Sequence, residues 1–333
     1  MNRKTKTYRP RIGGKLSYLR ALSSRTPVIL EYHGIPHKGN KEDIVRADFE
    51  RHIIFLKQLC EIVAPDRLWE KRKAFDRIRV MLTFDDGFRN HAEVVAPLLR
   101  RLEVPAMFFV CYRHSMPGKY LWFNYFRALE NHFLGNGFQF RGEFINMSPG
   151  RRHISVRRLQ EYLLSLTPHP YAMYEAIEEE LPRLEEFVAA GTLEDSYAGM
   201  TSEQLGELTA DPLFTIGNHT LDHPLLTRCG PKDVANQILQ NKIWIEEVSG
   251  RKCDAIAYPG GDYDLGVLNQ CRRLEVAHGY VETALFRSVP HLELSRIGIY
   301  SNSLSKLAIK LHLGNAYMKI MDRRRFKPSS VTQ

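Results

Sequence analysis

Short apolar runs alternate with helical segments along this chain, and that alternation constrains its fold more than any other feature. Residues 27–32 (PVILEY) and 79–84 (RVMLTF) have the composition of buried strands, and residues 46–59 between them repeat apolar residues at helical spacing. A second helical segment at 92–102 leads to a third apolar run at 104–110 (VPAMFFV). Strand, helix and strand in close succession are typical of a parallel sheet or barrel, so we predict an α/β fold.

The alternation stops at about residue 116 and resumes after about residue 200. The intervening segment opens with the aromatic sequence LWFNYFRALENHF and continues through charged helical stretches, so we predict a mainly helical insertion at 116–200. After it we expect strands at 212–220 (PLFTIGNHT) and 254–261 (DAIAYPGG), separated by an amphipathic helix at 232–248. A closing helix is predicted at 304–313.

The 333-residue chain carries a formal net charge of +9, and its basic residues concentrate at the two ends. Such ends suit an anionic membrane surface, and since no nucleic-acid recognition motif accompanies them we expect no nucleic acid partner. The N-terminus lacks the apolar stretch of a signal peptide, and no run of about 18 apolar residues occurs. We therefore expect a cytoplasmic protein that can contact the inner face of the membrane peripherally.

Three strand candidates end in clusters of chemically active residues: TFDDG at 83–87, GNHTLDH at 217–223 and AYPGG at 257–261. Loops that leave the carboxyl ends of parallel strands build the active sites of α/β proteins, so these clusters are expected to converge. His33 ends the first strand candidate and is expected at the same end of the sheet.

The adjacent carboxylates of Asp85 and Asp86 repel each other unless a cation lies close to them. His219 and His223 are four residues apart, a spacing that lets both rings bind one metal ion. Two imidazoles and one carboxylate form a common ligand set of catalytic zinc, and the second carboxylate can then remove a proton from water. DDG alone is more often a turn, and HxxxH alone is more often a packed pair, but together at strand ends they indicate a metal site.

These motifs, with an early YHG and a late SRIGIY, resemble those of the NodB-type polysaccharide deacetylases, carbohydrate esterase family 4. The resemblance covers about residues 27–300 except the insertion. It implies a distorted (β/α) barrel, a divalent metal ion and hydrolysis of an N-acyl group, usually acetyl, from an amino sugar. We accordingly expect a barrel domain at 26–313, interrupted by the helical insertion, between basic tails at 1–25 and 314–333.

The resemblance also implies residue roles. Asp85 matches the catalytic base of the family, and its metal ligands correspond to Asp86, His219 and His223. Zinc is the expected ion for two nitrogens and one oxygen, while nickel and cobalt suit the same ligands.

The third motif departs from the family pattern. Where family members usually carry an arginine that orients the base, this chain has Ala257, a form associated with the branch that acts on exopolysaccharide and other surface glycans. Gly260 is expected to offer a backbone N–H to the oxyanion. Tyr258, Pro259 and Asp262 are expected in the substrate groove, although packing beside a turn accounts equally well for Tyr258.

The general acid of the family, a histidine in a late LxxxH-like motif, has no clear counterpart. His312 lies in what resembles an ordinary amphipathic helix, which favours a packing role. His33 faces the active end of the sheet, so we predict that it donates a proton or positions substrate.

We therefore predict a metal-dependent hydrolase that removes an N-acyl, chiefly N-acetyl, group from an amino sugar in a surface-glycan or glycolipid intermediate. Because the sequence shows no export signal, we expect the enzyme to meet its substrate at the cytoplasmic stage, as a nucleotide-linked or lipid-linked intermediate. Two alternatives stay open: a metal-dependent amidohydrolase or deformylase for a small non-sugar amide, and a glycan-binding protein that has lost the chemistry. The missing arginine and unassigned acid favour the second alternative, whereas the intact acids and histidines oppose it.

Overall fold

The structure is a computed structural model that describes residues 27–39, 43–71, 77–286 and 289–311. Its strands are, in chain order, β1 (Val28–Tyr32), β2 (Cys60–Ile62), β3 (Ile78–Phe84), β4 (Ala106–Val110), β5 (Gly137–Phe140), β6 (Glu143–Asn146), β7 (Phe214–Asn218), β8 (Ala255–Ala257), β9 (His278–Val281), β10 (Leu294–Ser295) and β11 (Ile297–Gly298). Its α-helices are α1 (Arg46–Leu59), α2 (Ala96–Arg101), α3 (Tyr112–Ser115), α4 (Trp122–His132), α5 (Arg152–Leu164), α6 (Tyr171–Glu179), α7 (Ala190–Ser196), α8 (Ser202–Ala210), α9 (Pro231–Ser249) and α10 (Leu265–Arg273), and residues 304–311 are also helical.

The strands form a nearly closed parallel barrel whose two ends meet in one segment. Strands β1, β3, β4, β7, β8 and β9 are neighbours in that order, and β2 pairs only with β3. Strands β10 and β11 are the two halves of residues 294–298, and they pair with β9 and β1 respectively. Between the halves, Arg296 donates its backbone N–H to the carbonyl of Val281 at 2.7 Å. If these halves count as one strand, the described residues contain eight parallel strands, seven around the ring and β2 beside β3, which confirms the predicted distorted (β/α) barrel.

Both faces of strands β1, β3 and β4 are buried, which explains the continuous apolar sequences of these three strands. Alternate side chains of β1, β3 and β4 pack outward on helices α1, α2 and α8, and this outer layer includes Leu30, Leu82 and Phe108. The intervening side chains pack with β8 and β9 from across the ring, so they fill its interior. This inner layer includes Ile29, Met81, Met107, Phe109, Ala257 and Tyr280.

The segment at 116–200 is mainly helical, as its sequence predicts, and it has its own apolar core around Trp122, Tyr125 and Leu159. It also contains an antiparallel hairpin, β5–β6, that the sequence analysis did not predict. The hairpin turns at Arg141 and Gly142, whose φ angles of 48° and 84° suit a tight two-residue turn. Strands of four residues are too short to stand out by periodicity within a charged helical segment.

The division into barrel, insertion and tails stays a prediction, because both tails and His312 lie outside the described residues. Among the helices described, none combines the length and apolar character needed to cross a membrane.

Candidate active site

The clusters at the ends of three strands come together as the sequence predicts. Asp85 and Asp86 directly follow β3, and the backbone N–H of Asp85 donates to the carbonyl of Tyr32 at the end of β1. His219 directly follows β7 and donates its backbone N–H to the last carbonyl of β4, that of Val110, at 3.0 Å. The carboxyl ends of neighbouring parallel strands therefore place these side chains at one end of the barrel.

Asp86, His219 and His223 form a buried cluster. The Nε2 atoms of His219 and His223 lie 3.3 and 3.4 Å from Oδ1 of Asp86. One nitrogen or oxygen of each residue lies within 4.8 Å of the others, so a single ion can contact all three. These are the three residues that the resemblance assigns to the metal.

The surroundings of this cluster fit a divalent cation. Oδ2 of Asp86 is buried and has no hydrogen-bond partner among the described residues. The ring of His219 is oriented by a 2.9 Å contact between Nδ1 and the carbonyl of Ala257, which leaves Nε2 facing the cluster. A buried carboxylate oxygen without a partner is unfavourable, and coordination to a cation would satisfy it. Two nitrogens and one oxygen suit zinc, nickel or cobalt.

Backbone strain concentrates at the same residues. Asp86, Thr220 and His223 have φ angles of 77°, 68° and 51°, a region that residues other than glycine rarely adopt. Gly87, which follows the two acids, has a φ of 72°. Such conformations cost about 1–3 kcal/mol each and persist where the surrounding structure enforces them, as at functional sites.

Helix α9 holds the loop that carries the two histidines. The side chain of Asn241 donates to the carbonyl of Val110 and to Oδ1 of Asn218, both at 2.8 Å, and accepts from the backbone of Tyr112. One turn earlier, Gln237 accepts from the backbone N–H of Asp222 and donates to its carboxylate. These buried amides hold the loop against β4 and the helix.

Arg296 supplies the arginine that the third motif lacks. Its Nη1 and Nη2 atoms donate to the two carboxylate oxygens of Asp85 at 2.7 and 2.6 Å, a bidentate pair. The guanidinium also lies 5.4 Å from the centre of the Phe109 ring inside the barrel. The arginine that contacts the predicted base therefore comes from the segment that closes the ring, and not from the position of Ala257 in the third motif.

The charges around the two acids set their protonation. Burial would raise the pKa of Asp85, but Arg296 and then His219 outweigh it and lower the pKa. Burial likewise opposes ionisation of Asp86, yet hydrogen bonds from His219 and His223 lower its pKa well below the usual range. Both carboxyl groups are therefore ionised at neutral pH, so Asp85 is able to accept a proton.

A second group of polar side chains lies on the other side of Asp85. Glu31 is 2% exposed, and its Oε2 atom lies 3.2 Å from Nη2 of Arg296. Its Oε1 atom lies 3.7 Å from Nε2 of His33, whose side chain is 38% exposed. Burial raises the pKa of Glu31, and Arg296 opposes that effect. One nitrogen or oxygen of each of Glu31, His33 and Asp85 lies within 4.8 Å of the others, so the predicted proton donor and the predicted base are close neighbours.

The residues of the third motif take different positions. Tyr258 is 1% exposed, stacks on Tyr263 and donates its hydroxyl to the carbonyl of Leu292. It therefore packs in the core, which agrees with the packing role that the sequence leaves open for it. The carboxylate of Asp262 accepts hydrogen bonds from the backbone and hydroxyl of Thr227.

Pro259 is buried, whereas the neighbouring Gly260 is exposed with a φ of 60°. Contact of Pro259, Gly260 and Asp262 with substrate stays a prediction.

Sequence reasoning missed Arg296, Glu31 and Trp122. Trp122 begins helix α4 of the insertion and donates its indole N–H to the carbonyl of His223 at 2.9 Å. A glutamate inside the apolar run PVILEY and an arginine inside SRIGIY were the available signals, because charged residues are seldom fully buried unless paired.

Comparison with protein families gives one match. A family model described as polysaccharide deacetylase matches residues 72–122 and 176–279, which include all four motif acids and histidines. No curated protein sequence matches the chain.

Several solved structures share the fold, and some of them are described as deacetylases. The Streptococcus pyogenes deacetylase PplD, in complex with acetate, is 16% identical with a TM-score of 0.55, and the alignment covers 86% of this chain and 97% of that one. IcaB from Ammonifex degensii is 17% identical with a TM-score of 0.55, over 87% of this chain and 98% of that one. A de-N-acetylase from Aggregatibacter actinomycetemcomitans is 12% identical with a TM-score of 0.52, over 84% and 98%.

These likenesses establish the fold, and the family model matches the segments that carry the acids and histidines of the site. The match to the polysaccharide deacetylase family over residues 72–122 and 176–279 agrees with the NodB-type motifs of the sequence.

Proposed function

We propose that this protein is a divalent-metal-dependent carbohydrate N-deacetylase. The observation that carries the proposal is the position of Asp85. Its carboxylate accepts hydrogen bonds from Nη1 and Nη2 of Arg296, and it is adjacent to the cluster of Asp86, His219 and His223. A carboxylate base beside a cation-binding cluster is the arrangement that hydrolysis of an unactivated amide needs.

Asp86, His219 and His223 would hold the ion, and zinc is the ion we propose for them. When bound, such an ion polarises the acyl carbonyl and lowers the pKa of water. Asp85 accepts the proton of the attacking water, and Arg296 keeps its carboxylate ionised and oriented. The carbon–nitrogen bond then breaks, so that the acyl group leaves as a carboxylate and the sugar keeps a free amine.

The departing amine requires a proton, since an amide anion is a very poor leaving group. We propose His33 as the donor, because its ring is partly exposed at the mouth of the barrel and lies next to Glu31. A nitrogen of His33 and a carboxylate oxygen of Asp85 lie within 4.8 Å of each other, so both proposed proton-transfer groups belong to one site.

The proposed substrate is an N-acetylated amino sugar of a surface glycan or of its nucleotide-linked or lipid-linked precursor. The AYPGG form of the third motif supports the surface-glycan branch through the family resemblance. A cytoplasmic location and contact with anionic membrane stay predictions.

The presence of Arg296 bears on the alternative of a binding protein without activity. That alternative drew support from a missing base-orienting arginine, and Arg296 now provides one. The four motif side chains and their partner therefore favour an enzyme.

Mass spectrometry provides the test. The zinc-loaded protein is incubated with N-acetylhexosamine oligosaccharides, with nucleotide-linked N-acetylhexosamines, and with simple formamides and ureides. We expect loss of one acetyl group from a sugar substrate, abolished by a chelator and restored by zinc. Hydrolysis confined to the non-sugar amides would identify an amidohydrolase or deformylase instead, and sugar binding without hydrolysis would identify a glycan-binding protein.

A further inference from the structure

We infer that Glu31 is a positioning residue for His33 and that Arg296 connects it to Asp85, so that one guanidinium fixes the groups that accept and donate the proton. This inference rests on the proposed function, since it concerns how the same site protonates its leaving group.

The strand alternation of β1 places the Glu31 side chain inside the barrel. Ile29 lies in the inner layer, so Glu31, two residues later, points to the same side at the carboxyl end of the strand. On the neighbouring strand β3, Thr83 pairs with Glu31, and Asp85 follows two residues beyond. The ring interior thus carries Glu31, Thr83 and Asp85 as a polar layer at the active end, above its apolar filling.

Arg296 joins this layer into one unit. Its Nη1 atom contacts Oδ1 of Asp85 at 2.7 Å and Oγ1 of Thr83 at 3.3 Å, and its Nη2 atom contacts Oδ2 of Asp85 at 2.6 Å and Oε2 of Glu31 at 3.2 Å. The two hydrogen bonds from the planar guanidinium fix the orientation of Asp85, and Glu31 is held to the same guanidinium by an ion-pair contact in which its Oε2 atom makes no hydrogen bond among the described residues. The position of Glu31 is therefore coupled to that of the base.

The other oxygen of Glu31 faces the proposed proton donor. Oε1 lies 3.7 Å from Nε2 of His33 and accepts a hydrogen bond from the hydroxyl of Tyr300 at 3.2 Å. The Tyr300 ring also lies against the imidazole, with 5.7 Å between ring centres. The same hydroxyl lies 2.9 Å from Oε1 of Glu282, so it has a second acceptor. Glu31 and Tyr300 together hold the His33 ring at the mouth of the barrel.

Stability alone does not account for a carboxylate at this position. The next inner-layer residue of β1, Ile29, packs in an apolar layer. A buried acid beside such a layer is unfavourable unless it is paired. Arg296 already has a bidentate partner in Asp85, so it has no need of a second carboxylate. A buried carboxylate is explained if the oxygen that faces His33 orients the imidazole ring.

The test compares two leaving groups. An amine leaves only when it is protonated, whereas the 4-nitrophenolate of a 4-nitrophenyl acetate ester leaves without a proton. We expect Glu31→Gln to lower kcat on the N-acetylated sugar about 10- to 100-fold and to change ester hydrolysis less than about 3-fold. His33→Ala should give the same selective loss, and the double variant should be no slower than His33→Ala alone, because both act on one proton transfer.

Two further variants keep the test decisive. Glu293→Gln removes another buried carboxylate, which bonds to Tyr263 and to backbone N–H groups away from Arg296, so it should leave the ratio of amide to ester hydrolysis unchanged. Tyr300→Phe, at a side chain more than half exposed, removes one hydrogen bond to Glu31 and should cause a smaller amide-selective loss if Glu31→Gln does not fold.

Equal losses on amide and ester in both Glu31→Gln and Tyr300→Phe would show a merely structural role and overturn the inference, as would no loss on either substrate. A wild-type protein that hydrolyses the ester but no N-acetylated sugar would instead refute the proposed function.

Discussion

Asp85 and Asp86 are neighbours in sequence, yet their side chains have different partners. Asp85 pairs with the guanidinium of Arg296, whereas Asp86 lies against the imidazoles of His219 and His223. His219 is close to both acids, since its Nε2 atom also lies 4.0 Å from Oδ2 of Asp85. The repulsion between the two carboxylates is therefore reduced by a cation at Asp85 and by imidazole contacts at Asp86.

The roles of the two acids separate under substitution. Asp85→Asn should lower kcat/KM about 10²- to 10⁴-fold, because the amide cannot accept a proton, while bound zinc stays at one equivalent. Asp86→Asn should instead weaken zinc binding. Elemental analysis and calorimetry with zinc measure the second property, and deacetylation kinetics measure the first. Retained activity in Asp85→Asn would assign the base to another residue.

Arg296 is expected to matter for both catalysis and stability. Arg296→Gln leaves two buried carboxylates without their cation, which should cost roughly 3–5 kcal/mol of unfolding free energy in addition to lowering kcat. Urea unfolding and kinetics measure the two effects. Arg79→Gln is the matched control, because Arg79 is also buried and paired with acids but lies at the other end of β3, where its loss should reduce stability without changing kcat.

At the scale of elements, helix α9 acts as the support of the histidine loop. Its inner face carries two buried amides, Gln237 and Asn241, among apolar residues. Polar side chains on the buried face of an amphipathic helix need partners, and these partners are the backbone and side chains of the loop at 218–222.

Asn241→Leu should weaken zinc binding about 10- to 100-fold, because it frees the loop that positions His219. It should also lower the unfolding free energy by about 1–3 kcal/mol, since the carbonyl of Val110 and Oδ1 of Asn218 each lose one of two donors and the backbone N–H of Tyr112 loses its acceptor. Gln240→Leu, an exposed amide on the same helix, is the control and should change neither property. Equal zinc affinity in both variants would contradict the supporting role.

The turn at His91–Val95 that follows the DDG motif predicts a pH dependence of stability. Burial lowers the pKa of His91 from its ordinary 6.5 to about 4, against a hydrogen bond to the carbonyl of His33. Between pH 6.5 and pH 4, His91 is therefore protonated in the unfolded chain but not in the folded chain. The unfolding free energy is highest above pH 6.5 and decreases as the pH falls toward 4. The loss from this residue should reach about 2 kcal/mol at pH 5.

Urea unfolding at pH 7.5 and pH 5 measures this loss in the wild type and in His91→Gln. The variant should lose about 2 kcal/mol less between the two pH values, because glutamine does not titrate. Equal losses would show that other groups control the acid sensitivity.

At the scale of the molecule, the cation-binding cluster joins strands that are far apart in the chain. Zinc that binds the folded but not the unfolded chain should raise the unfolding free energy by about 2.7 kcal/mol at a free concentration of 100 times Kd. Differential scanning calorimetry should show a higher Tm with zinc for the wild type and no shift for His219→Ala. A shift of equal size in both proteins would place the stabilising zinc elsewhere.

Local sequence patterns were sufficient to predict the main barrel elements and the meeting of the motifs. Helix α1 spans the residues predicted for it, strands β1 and β4 lie within the predicted apolar runs, and β3 begins one residue before its run, because burial on one or both faces leaves a periodic record in local sequence. Parallel strands bring their carboxyl ends together whatever their order, so Asp85, Asp86 and His219 were predictable as one site.

The arginine that contacts Asp85 and the acid that contacts His33 became evident only in the folded barrel. Arg296 and Asp85 are 211 positions apart, and their contact depends on how residues 294–298 join β9 to β1 and close the ring. Tyr258 shows the same dependence, since its burial follows from the packing of β8 against its neighbours. Such contacts are set by the register and closure of the whole barrel, and no local pattern of residues records them.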